Sequence, residues 1–141
     1  MKYFIIILIL LSGSDLFSQF VMPESAVFST QMNGWLISDV GNQSAADGKI
    51  YIKRGDSAPT VFFSQGLTDP KGLEIHEGIL FVADVTKLVM VSISDSSLFE
   101  SLTVSGASFL NDIEYKGASV FYLSDRSEER RVGKECRSRW S

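Results

Sequence analysis

Three residues stand at matching places in three related stretches: Glu24 in Pro23-Glu24-Ser25, Lys71 in Pro70-Lys71-Gly72 and Asn111 in Leu110-Asn111-Asp112. A carboxylate and an amide oxygen are hard ligands of the kind calcium takes, so Glu24 and Asn111 are candidate metal ligands if the fold brings them together. The competing role is that of strand-start residues held by turn hydrogen bonds. Lys71 breaks the acidic pattern and is expected to point to solvent. A second set, Asp39, Asp84 and Asp125, is expected to accept backbone hydrogen bonds in the turn that follows each copy of a repeated strand. His76, the only histidine, has no serine or cysteine motif beside it, so a nucleophilic triad has no support and a surface strand or turn position is expected. Asn42-Gln43-Ser44 is a glycosylation sequon with meaning only in a eukaryotic secretory pathway. The acids from Asp39 to Asp47 lack the spacing of a calcium loop.

The elements that would position these residues repeat. Leu36-Ile37-Ser38-Asp39, Phe81-Val82-Ala83-Asp84 and Tyr122-Leu123-Ser124-Asp125 share two bulky residues, a small or polar one and aspartate, with the aspartates 45 and 41 residues apart. Each is preceded by a candidate strand that begins at the Pro23, Pro70 or Leu110 stretch. The second and third of these alternate apolar and polar residues. Strands are further predicted over Lys49 to Lys53, Thr60 to Ser64, Lys87 to Ile93 and Leu98 to Val104, with connections rich in Gly, Asp and Ser. Four strands in roughly 40 to 47 residues is the blade of a β-propeller. A β-sandwich would also place strands at regular spacing, but gives no reason to repeat the same aspartate-terminated ending at blade length. The predicted fold is therefore all-β, about two and a half four-stranded blades over 22–65, 66–106 and 107–125, within a propeller domain of 19–125. Closed propellers have typically four to eight blades, so the chain is expected to be the N-terminal part of a longer protein.

The two ends read differently from this body. Residues 1–18 carry Lys2, an apolar run from Tyr3 to Leu11 and a small-residue exit at Ser18, the pattern of a secretory signal peptide. The run falls short of the ~20 residues a membrane span needs, so the expectation is a secreted or periplasmic protein with no membrane segment after cleavage. Between 19 and 125 the chain carries six Lys or Arg against thirteen Asp or Glu, a net of −7 that argues against nucleic acid as a partner. The segment 126–141, RSEERRVGKECRSRWS, turns basic and holds the only cysteine, Cys136. It reads as the in-frame translation of a common short-read sequencing adapter and is expected to be non-native, leaving the third blade stopped mid-motif.

The body resembles the gluconolactonase / senescence marker protein (regucalcin) family. The resemblance rests on Pro23-Glu24-Ser25, Gly66-Leu67-Thr68-Asp69-Pro70-Lys71-Gly72-Leu73, Leu80-Phe81-Val82-Ala83-Asp84 and Phe109-Leu110-Asn111-Asp112-Ile113, and runs from about Met22 to Asp125. It implies a six-bladed propeller with a divalent metal, usually calcium, in its axial tunnel, and hydrolysis of lactones or related esters by the family's enzymes. Glu24 then matches the first-blade metal-ligand glutamate, with Phe28 at the aromatic position four residues on. Asn111 matches the asparagine that binds the metal or contacts substrate, and Asp112 orients backbone. A calcium ion there would polarise a lactone carbonyl and lower the pKa of a bound water. The family's remaining ligands and its catalytic base come from later blades. The alternative is a non-catalytic propeller, similar to NHL-repeat proteins, that binds a ligand or partner on its axial face.

Overall fold

The computed structural model describes residues 20–42 and 46–126, and the backbone of 134–137. The sequon lies partly, and the signal peptide and most of the basic tail lie wholly, outside these residues. The first blade comprises β1 (Pro23–Ser29), β2 (Gly34–Asp39), β3 (Lys49–Lys53) and β4 (Thr60–Phe63), hydrogen-bonded in sequence order. The second repeats it with β5 (Pro70–His76), β6 (Ile79–Asp84), β7 (Lys87–Ser92) and β8 (Leu98–Thr103). The third holds β9 (Leu110–Gly117), β10 (Val120–Asp125) and β11 (Lys134–Arg137). All pairings are antiparallel, and no helix occurs among the described residues.

The third blade departs from the sequence expectation. It has three strands, because β11, drawn from the basic tail, pairs with β10 from Leu123↔Lys134 to Val120↔Arg137. Ladder bonds are made by backbone alone, so an open strand edge accepts an extended segment that lacks apolar alternation.

Alternation within the strands explains how the blades stack. In β6 and β7, Leu80, Val82, Val89 and Val91 face the first blade and pack with Leu36, Ile50, Ile52 and Phe63. Phe81, Ala83, Leu88 and Met90, one residue out of phase, face the third blade and meet Ile113, Phe121 and Leu123. The second blade is thus buried on both faces. The first strands β1, β5 and β9 lie side by side, as the innermost strands of successive blades do. Gly72 permits that approach, since a Cβ there would lie 2.6 Å from Asp112 Cα and 2.8 Å from Ile113 N.

The repeated aspartates clasp each blade. Asp39 accepts from the backbone N–H groups of Val21 and Met22, each at 2.8 Å, and from Gly41 at 3.0 Å. Asp84 accepts from Thr68 at 3.1 Å and Asp69 at 2.6 Å, and Asp125 from Ser108 at 2.8 Å and Phe109 at 3.0 Å. The acceptor role matches the expectation, but its place does not. Apart from Gly41, these donors precede the first strand of the blade rather than following the second, so the carboxylate ties the end of one strand to the start of its neighbour. Ser38 adds a link between blades: its hydroxyl receives the Ser25 N–H at 3.0 Å and donates to the Lys71 carbonyl at 2.7 Å.

Candidate axial binding site

Glu24, Lys71 and Asn111 occupy the second position of β1, β5 and β9. With the innermost strands adjacent, equal register brings all three to one polar cavity of about 250 Å³, lined also by Ser25 and Asp112. The structure therefore unites the sequence-predicted set.

Lys71 corrects the expectation of a solvent-facing side chain. Only 3% of it is exposed, and its Nζ lies 2.9 Å from Asp69 Oδ1 and 3.3 Å from Glu24 Oε1. The contact to Asp69 falls outside hydrogen-bond geometry, so this buried oxygen is balanced by charge pairing rather than by a directed bond. The Phe109 ring closes a further side, its centroid 5.4 Å from the ammonium. A lone buried ammonium would be costly; two carboxylates and an aromatic face make its burial tolerable. Asp69 was missed by sequence reasoning, although its spacing of two from Lys71 across Pro70 was a usable signal.

These residues do not by themselves fit calcium. The ion takes six to eight oxygens. Of the candidate ligands, Glu24 already has an oxygen beside the Lys71 ammonium, and Asn111 adds one amide oxygen. Asp112 Oδ1 accepts the N–H of Ile113 at 2.9 Å, in keeping with a backbone-orienting role. Among the described residues no group of three or more His, Cys, Asp and Glu side chains is placed to hold a metal.

At the other end of β5, His76 is a strand-end residue, as expected, but its ring is packed rather than free. It stacks on Tyr115 at 3.7 Å between centroids and 26° between planes, with Phe121 edge-on at 6.1 Å. Partway along the same strand, burial pushes the Glu74 carboxyl up from its ordinary 4.5; nearby His76 opposes this, while Glu114 and Asp112 reinforce it. A raised carboxyl binds its proton more tightly when folded, so this group's contribution to stability is fully present below pH 4.5 and is lost as pH rises through the folded value. Glu74→Gln is accordingly expected to raise the thermal midpoint at neutral pH. The gain should fade in melts recorded below the ordinary glutamate value, and a pH-independent gain would rule out this cause.

The fold is that of a β-propeller: two four-stranded antiparallel blades and a three-stranded one, stacked face to face with their first strands side by side. No protein-family model matches the chain, and no curated protein matches its sequence. Solved structures do. A chain in the crystal structure of a nidogen/laminin complex superposes with a TM-score of 0.63 at 15% identity, over 78% of this chain and 41% of that one. The computationally designed protein Ika4 gives 0.56 at 11% identity, over 82% of this chain and 65% of that one. The designed Ika8 protein gives 0.56 at 10% identity, over 80% and 32%. The chain thus spans less than two thirds of each, and at these identities the likeness is one of fold.

Proposed function

We propose that this chain belongs to an exported, gluconolactonase-like six-bladed propeller whose axial mouth binds a small polar molecule without a catalytic metal at Glu24. The observation that carries this reading is the buried Lys71 ammonium beside that carboxylate. A divalent ion bound through the same Glu24 oxygen at a usual ~2.4 Å could stand no farther than ~6 Å from the ammonium. At an effective dielectric of about 20 their repulsion is about 6 kcal/mol, enough to oppose ordinary calcium affinity. The ligand this mouth suits is a compact molecule rich in hydroxyl and carbonyl groups. Lys71 and the Asn111 amide can donate to it, and Glu24 and Asp112 can accept from it.

A second reading, a calcium-dependent lactone or ester hydrolase, draws on one specific observation: Glu24 and Asn111 do line the same cavity. Thermal melts with calcium titrated into the millimolar range separate the two. We expect no calcium-dependent rise in midpoint for the wild-type chain. A rise that disappears in both Glu24→Gln and Asn111→Ala would overturn the metal-free reading.

A further inference from the structure

Away from the axial mouth, the second and third blades border a separate, half-open cavity of about 340 Å³. It is lined by Phe81, Phe99, Phe121 and Ile79, together with His76, Glu77 and Ser119. Phe81 and Phe121 lie 4.3 Å apart and tilted by 33°, and Phe99, on β8, is 53% exposed. Among the described residues, no lysine or arginine lines the space. The Glu77 side chain, 83% exposed, stands with Oε1 3.6 Å from His76 Nε2.

The rim consists of two hairpin loops in the left-handed backbone region. Glu77 and Gly78 have φ of 48° and 76°, and Ala118 and Ser119 have φ of 51° and 60°. A tight two-residue hairpin calls for positive φ at both central positions, which Glu77-Gly78 meets with glycine at one of them. Ala118-Ser119 meets it with none, at a cost on the order of 1 kcal/mol per residue. Strain of this kind concentrates at ligand-clamping loops.

We propose that this cavity is a binding site for an organic quaternary ammonium. Ring faces carry negative quadrupole potential and attract a cation that is weakly hydrated, and the Glu77 carboxylate at the rim matches its charge. A neutral apolar guest would gain the same burial without using that charge. The cavity volume also falls in the range of small-molecule sites and exceeds what one trimethylammonium group needs, leaving room for an attached chain.

The test is a titration of the full chain with choline and with its uncharged carbon isostere, 3,3-dimethylbutanol, followed by calorimetry and by NMR shifts of the phenylalanine rings. Choline should bind about tenfold more tightly than the isostere, the factor a cation–π contribution of 1 to 2 kcal/mol supplies. Phe99→Ala, at an exposed position that leaves the blade core intact, should weaken choline binding about tenfold, and Glu77→Gln should weaken choline but not the isostere. Glu24→Gln, in the axial mouth, should change neither. Equal binding of choline and isostere would reduce the site to an apolar pocket and overturn the proposal, as would the absence of choline binding. Loss of binding in Glu24→Gln would place the guest in the axial mouth instead.

Discussion

Asp84→Ala is expected to destabilise the chain by about 3 kcal/mol, read as a lowered denaturation midpoint at unchanged slope. The carboxylate is completely buried and accepts the N–H groups of Thr68 and Asp69, with the Lys87 ammonium 3.4 Å away. Truncation leaves two backbone donors without their acceptor, each worth roughly 1 to 3 kcal/mol when it cannot reach water. Thr68 is partly wetted, which holds the sum near the lower end. Asp84→Asn keeps an acceptor oxygen and should cost about half as much. Asp125, half-buried at the corresponding place in the third blade, should lose less on the same truncation. An Asp84→Ala midpoint equal to wild type would remove the clasp from the account of how a blade is held.

Lys71→Met should cost about 3 to 5 kcal/mol, the usual penalty for leaving a buried charge without its partner. Methionine replaces most of the apolar stem, so the loss measures charge rather than volume. The charge left behind is that of Asp69, whose side chain is 12% exposed, with Glu24 at 30% able to recover some hydration. Adding Asp69→Asn should restore most of the stability, because replacing both members of a buried pair with neutral groups is often nearly neutral. The same variant opens a second readout. With the ammonium gone, Glu24 and Asp69 form a local negative pair, and millimolar calcium should now raise the midpoint of Lys71→Met while leaving wild type unchanged. A calcium response equal in the two proteins would show that Lys71 does not serve as the internal counter-ion.

Much of the fold was legible because it is written in short-range pattern. Period-two alternation placed β3 at its observed limits, and β4, β7 and β8 within one residue of theirs. The match of Pro23, Pro70 and Leu110 at strand starts put Glu24, Lys71 and Asn111 in register before any contact was known. Position within a strand is a local property, set by which face each side chain must take. The direction and surroundings of Lys71 were not local. Its ammonium is met by Glu24 from another blade and by Phe109 from the loop ahead of a third, and no window of sequence contains all of them. The stacking of His76 on Tyr115 was hidden for the same reason.

The aspartates divide cleanly between the two levels. That Asp39, Asp84 and Asp125 accept backbone hydrogen bonds follows from residue type and from the small-residue setting in which each recurs. Which N–H groups they take depends on antiparallel pairing, which folds residues 15 to 18 positions earlier against the strand end. The sequence by itself determined an all-β chain of repeated, acidic, aspartate-terminated blades, because alternation and turn chemistry act over a few residues. Only the tertiary structure decided that a lysine sits buried beside the candidate metal ligand, that the tail's backbone extends the third blade, and that three phenylalanines line one cavity. Each of these depends on groups brought together from distant parts of the chain, and their energies of charge, pairing and packing exist only once the blades have stacked.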